Sequence, residues 1–207
     1  MNYSTDPVND SFSNCIQNKE IYLFENFFLD TPSWKDFIFN LNHKFNYENY
    51  DNSHEWNNVK NLEKNRMKND ILFYNKLDPV VFYPLQKNND LDSIFIPQIS
   101  EVLKILFSFT NKEPNSIRII FNFVGNESKY YIHSDNHDTI SWHCIGKMEW
   151  RIFKSLILST NEPKTDVDEK FESIILSPGD LLYIPKGTIH QVHVFEPRVS
   201  VIFTYNT

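Results

Sequence analysis

From residue 116 onward the chain reads as short β-rich runs separated by turns, at 117–124, 128–133, 139–145, 149–157, 171–176, 181–184, 189–195 and 198–205. Short strands at this spacing specify an antiparallel sandwich or barrel. Upstream the texture changes. Ile21–Phe28 reads as a strand. Thr31-Pro32 reads as an N-cap followed by proline at the first helical position. Trp34, Phe37, Ile38 and Leu41 recur at helical spacing and predict a helix over about 32–43. Ile99, Val102, Leu103 and Leu106 predict a second over 97–109. The Asn/Lys/Glu-rich segment 44–70 has no clean period and reads as a surface excursion or part of a substrate lid. Helices that precede the strands are expected to pack on one outer face of the barrel. The expected organisation is a polar tail over 1–18 and a single domain over 19–207. Within it, 19–115 forms a helical and mixed support region and 116–207 the β core.

Of the 207 residues, 41% are hydrophobic and 15% aromatic, which suffices for one packed core and excludes disorder as the main state. No stretch approaching about 20 residues is free of charge, so no membrane span is expected. The N-terminal MNYSTDPVND has no apolar run of the secretory kind. The two cysteines, Cys15 and Cys144, make no disulfide framework, and the expected compartment is the reducing cytosol. A net charge of -7 without a Lys/Arg run argues against nucleic acid and anionic lipid as partners.

Five histidines lie in the β-rich half: His133, His137, His143, His190 and His193. His133-Ser134-Asp135 puts an imidazole and a carboxylate two residues apart, which in extended backbone sends both to one face. His190 follows a strand and a Pro/Gly turn, GDLLYIPKGTIH, and opens the next strand. Together they would form a 2-His-1-carboxylate face with open coordination positions, an arrangement suited to non-haem Fe(II) and oxygen chemistry. The plain alternative is a chance HxD and a satisfied core histidine. His193, an odd number of residues beyond His190, should face the other way. His137 and His143 are expected at the surface or behind the site.

The spacing from Gly179 through Pro185 and Gly187 to His190 resembles the second signature of the cupin superfamily. His133-x-Asp135 with a distant His190 resembles the metal triad of the Fe(II)/2-oxoglutarate oxygenases. The stretch from His133 through Gly146 to Trp150-Arg151-Ile152-Phe153, with GDLLYIPKGTIHQV after it, is most similar to the Jumonji-type hydroxylases, which include protein and ribosomal hydroxylases. The resemblance covers about residues 116–207. It implies a double-stranded β-helix (a jelly-roll cupin barrel), with iron on His133, Asp135 and His190, 2-oxoglutarate as cosubstrate, O2, and hydroxylation of a C–H bond.

The distal carboxylate of 2-oxoglutarate needs a cation. Jumonji-type enzymes usually place a lysine where this chain has Met148, and the adjacent Lys147 is offset to the opposite face. Arg198-x-Ser200, with both side chains on one face of the last strand, matches the solution of other branches. A guanidinium suits a carboxylate through paired hydrogen bonds. Arg198 and Ser200 are therefore the expected cosubstrate residues, with Lys147 as fallback and Tyr131 and Asn122 as supporting candidates. The competing reading puts Arg198 in a surface ion pair. The expected substrate is a protein side chain, with a small metabolite second. The rivals are a cupin-type metal enzyme that does not use 2-oxoglutarate and a non-catalytic cupin binding module.

Overall fold

The computed structural model of the protein describes residues 8–37, 80–82, 97–122, 128–129, 132–154 and 170–206. In chain order these form α1 (Val8–Asn18), β1 (Tyr22–Phe24), a helical turn at 34–37, β2 (Val80–Phe82) and α2 (Pro97–Thr110). The strands β3 (Ser116–Asn122), β4 (Ser128–Lys129), β5 (His133–Ser134), β6 (Asp138–Ile145), β7 (Met148–Ile152), β8 (Glu172–Leu176), β9 (Leu181–Ile184), β10 (Ile189–Val194) and β11 (Arg198–Tyr205) follow. One antiparallel sheet runs β1-β9-β6-β11-β3-β2. The second runs β4-β10-β7-β8, with β5 also paired to β10. This is the expected two-sheet jelly roll.

Side-chain alternation divides the first sheet into two unlike faces. Ile140, Trp142 and Cys144 on β6 join Val199, Val201, Phe203 and Tyr205 on β11 in one apolar cluster. Ile99, Val102, Leu103 and Leu106 of α2 and Phe12 of α1 cover that face, so the helices do pack on one outer surface. The opposite face, pointing at the second sheet, is mainly polar: Thr139, Ser141 and His143 on β6, and Arg198, Ser200 and Thr204 on β11. The second sheet answers with Met148, Trp150, Ile152, Val192 and Val194, which pack with Leu182 and Ile184 of β9. The inner wall of the first sheet is therefore polar along β6 and β11 and apolar along β9, where it meets the apolar side chains of the second sheet.

Three local expectations are corrected. Residues 8–18 are helical, not a tail. Phe12 is fully buried, edge-on to Phe24 at 4.9 Å and Phe109 at 5.1 Å. Phe12, Cys15 and Ile16 share one helical face, with Cys15 buried and Ile16 packed against the same core, but this short stripe is set among polar residues. The strand expected over 21–28 is only Tyr22–Phe24, because Asn26 takes a φ of 52° and its N–H donates to Asp180 Oδ1 at 2.8 Å. The N-cap near residue 32 is Ser33, not Thr31. Ser33 and Asp36 form a reciprocal box, with the Ser33 N–H donating to Asp36 Oδ2 at 2.8 Å and the Asp36 N–H to Ser33 Oγ at 3.4 Å. That bonding holds the Asp36 carboxyl below its ordinary range. Residues 38–43 of the expected helix and the whole of 44–70 lie outside the described residues. α2 matches its expected span, and Asn111 at φ 50° closes it by donating to Phe107 O. Phe12→Ala is expected to cost about 3–5 kcal/mol and to lower the thermal midpoint by roughly 10 °C. A calorimetric scan that shows no shift would return α1 to the status of a tail.

Candidate functional site

β5 and β10 pair so that His133 lies directly across from His190, and the rings sit 4.4 Å apart between centroids. Directly opposed residues on antiparallel strands share a face. Asp135 leaves the end of β5 and brings Oδ2 to 3.8 Å from His190 Nε2. One donor atom from each of His133, Asp135 and His190 lies within 4.8 Å of the other two. Among the described residues this is the one group of three or more metal-type donors that meets.

The surrounding bonds hold these groups in place. The His190 Nδ1–H donates to Thr188 O at 2.9 Å, which leaves the Nε2 lone pair facing the cluster. Burial, and next the neighbouring His133, lower the His190 pKa to about 4, so the ring is neutral near pH 7 as a metal ligand must be. Trp150 stacks on it at 4.8 Å. The 185–188 turn is tied to the HxD loop twice. The Gly187 N–H donates to Asp135 O at 2.9 Å, and the Lys186 N–H to the buried Asp138 Oδ1 at 2.8 Å. The φ of 81° at Gly187 is why glycine stands in that turn. Thr139 Oγ1 lies 3.5 Å from Asp135 Oδ2. His137 is placed beside the cluster and accepts from Arg118 at 3.1 Å.

Deeper between the sheets lies the second constellation. Arg198 is 2% exposed and therefore is not a surface ion-pair residue. Its Nε–H donates to Asn122 Oδ1 at 2.8 Å, and Nη1 donates to Ser200 Oγ at 2.9 Å and approaches Met148 Sδ at 2.9 Å. The structure thus brings Arg198, Ser200 and Asn122 together. Lys147 is exposed and does not join them, as the one-residue offset requires. Tyr131 lies outside the described residues. His193 does face away from the site, on the outside of the second sheet, where Arg151 donates to its Nδ1 at 2.8 Å.

His143 lies behind the site, one of the two places expected for it. It is fully buried against Ser200, and burial, with the nearby Arg198 charge next, lowers its pKa to about 3. The signal was available, since the alternation that put Trp142 outward puts His143 inward. An unfolded histidine takes up its proton near pH 6.5 whereas the folded one resists to about pH 3. Protons therefore favour the unfolded chain in that window, and stability falls as pH drops through it, by up to about 1.4 kcal/mol per unit. Urea midpoints measured from pH 7 to pH 4 should fall less steeply in His143→Asn than in wild type.

Gly146 sets the position of Arg198. It takes φ 81°, and an added Cβ would lie 2.2 Å from Pro197 O and 3.1 Å from Arg198 Cα. Gly146→Ala should push the start of β11 outward and weaken any ligand held by Arg198 about tenfold or more, equivalent to about 1.4 kcal/mol, as read by calorimetric titration.

The residues fit a metal and a dicarboxylate. The donor set is two imidazoles and a carboxylate on one face. Trp150 Nε1 and Ser141 Oγ, from the two facing walls, are buried without a hydrogen-bond partner among the described residues. Such atoms are costly unless something polar answers them.

The JmjC domain family matches residues 93–207. Among curated proteins, the chain is 36% identical over 67 residues to the bifunctional lysine-specific demethylase and histidyl-hydroxylase NO66 of Dictyostelium discoideum, covering 28% of this chain and 13% of that protein. It is 33% identical over 73 residues to the ribosomal protein uL16 3-hydroxylase of Escherichia coli, covering 33% and 20%. It is 29% identical over 90 residues to human ribosomal oxygenase 1, covering 40% and 14%. The matched parts are thus 13–20% of the length of these relatives. Among solved structures, E. coli ycfD superposes over 100% of this chain and 54% of its own, with a TM-score of 0.59 at 13% identity. The YcfD complex with cobalt and succinic acid gives 0.57 at 14%, over 100% and 53%. These likenesses support the fold. With more than half of its length matched by the family, and with the jelly roll in place around the His133, Asp135 and His190 cluster, this chain belongs to the JmjC domain family.

Proposed function

We propose that the protein is an Fe(II)- and 2-oxoglutarate-dependent dioxygenase that hydroxylates a C–H bond of a protein side chain. The observation that carries this reading is the convergence of His133, Asp135 and His190 at the mouth of a barrel whose polar wall carries a buried Arg198. Fe(II) on those three donors, with 2-oxoglutarate and O2, supplies the oxidising chemistry, releasing succinate and CO2. The chain's own residues bind and orient. His190 presents Nε2 because Thr188 holds Nδ1. Arg198, held by Ser200 and Asn122, receives the distal carboxylate. Met148, Trp150 and Val192 form an apolar wall.

The missing Jumonji lysine is compatible with this reading. Arg198 reaches across from β11 and sets Nη1 against the Met148 sulfur, so a cation stands where the tip of that lysine would be. A protein substrate is favoured by the relatives, whose names are those of ribosomal oxygenases and a histidyl-hydroxylase. The net charge of -7 suits a basic segment. Among the described residues no helix is long and apolar enough to cross a membrane. The test is succinate release on incubation with Fe(II), ascorbate, 2-oxoglutarate and ribosomal-protein fractions, with 2-oxoglutarate titrated separately into the metal-loaded protein. Binding and turnover are expected. A wild-type protein that neither binds nor consumes 2-oxoglutarate would overturn the assignment in favour of a cupin without this cosubstrate.

A further inference from the structure

We propose that His143 is a positioning residue, acting with Ser200 as a single brace that aims the Arg198 guanidinium. This deepens the reading of Arg198 as the carboxylate anchor and rests on it.

The bonding leaves little freedom. His143 Nε2 lies 2.9 Å from Gly146 O, and a carbonyl only accepts, so Nε2 carries the proton. The neutral ring can then only accept at Nδ1, which lies 2.9 Å from Ser200 Oγ. The Ser200 hydroxyl must therefore donate to His143. That turns its lone pairs away from the imidazole, and one of them receives Arg198 Nη1 at 2.9 Å. A hydroxyl rotor is ordinarily free to choose its direction, whereas here the imidazole chooses for it. The strands are built for this. The β6–β11 register shifts between Val199 and Ser200, and beyond the shift Ser200 pairs with His143. The chain of bonds runs from the Gly146 carbonyl through His143 and Ser200 to Arg198. Ser200 thus acts as a support for the cation, and Arg198 alone meets the distal carboxylate.

The experiment is calorimetric titration of 2-oxoglutarate into protein loaded with Mn(II) as a redox-silent substitute for Fe(II), with Mn(II) affinity measured separately. His143→Leu and Ser200→Ala are each expected to raise the Kd for 2-oxoglutarate about fivefold to tenfold, and the double variant should be no worse than either single one, because both cut the same chain. Mn(II) affinity should not change. Asn at 143 places an acceptor near the position of Nδ1 and should retain binding, whereas Gln places one near Nε2 and should lose it. This pair keeps the test alive if the leucine variant does not fold. An unchanged Kd in His143→Leu overturns the brace, as do losses that multiply in the double variant. A wild type that does not bind 2-oxoglutarate, or an Arg198→Ala variant that binds as well as wild type, refutes the underlying anchor assignment instead.

Discussion

Asp135→Ala should lower the affinity for Fe(II) by more than about 100-fold and reduce 2-oxoglutarate consumption to background. Loss of a residue that merely supports a ligand costs about 10–100-fold in metal affinity, and a direct donor should exceed that. Asp135 is also the one carboxylate of the cluster, so its loss leaves no negative charge to set against a divalent cation. The fold should survive. The Asp135 backbone carbonyl, not its side chain, receives the Gly187 N–H, and that bond remains in alanine. Metal content by mass spectrometry, succinate release and the thermal midpoint form the set of measurements. Iron retained at wild-type level in a folded Asp135→Ala protein would sink the metal-centre assignment.

Arg198→Ala should weaken 2-oxoglutarate binding by roughly 100-fold, corresponding to about 2.7 kcal/mol, because a charge-assisted pair between a buried guanidinium and a carboxylate is among the stronger hydrogen-bonded contacts. Placing the cation elsewhere should restore it. Arg198 Nη1 already lies against Met148 Sδ, so Met148→Lys in the Arg198→Ala background puts an ammonium near the vacated position. Recovery of at least part of the lost affinity is expected, at a lower specificity because lysine is a point charge without the planar fork. Met148→Lys alone should destabilise the protein, since two cations would then share a buried site. Failure of the double variant to bind, with an intact thermal midpoint, would show that the anchor is not transferable between β7 and β11.

Much of this could be read from single residues and their spacing. An antiparallel sandwich or barrel was legible because short β-rich runs alternate with turn residues, the jelly roll was implied by the resemblance of the His133 and Gly179–His190 motifs, and α2 was legible because four apolar residues recur at helical spacing. The faces of His133 and Asp135, of Arg198 and Ser200, and the opposite face of Lys147 followed from alternation alone. Other features were not legible. α1 reads as polar because its apolar stripe of Phe12, Cys15 and Ile16 is short and set among Asn, Ser and Gln. Alternation from Trp142 turns His143 inward, but only the register between β6 and β11 sets it behind Ser200.

By itself, the amino-acid sequence determined a run of short strands and the direction each candidate side chain takes from its own strand, because backbone geometry makes those directions a local property. Only the tertiary structure decided which side chains meet. The pairing of His133 with His190, the meeting of Arg198 with Met148, and the tautomer forced on His143 by the Gly146 carbonyl all depend on contacts beyond a single strand. Register across sheets and close backbone approach come from packing the whole barrel, and a one-residue slip would turn every one of these groups away from its partner.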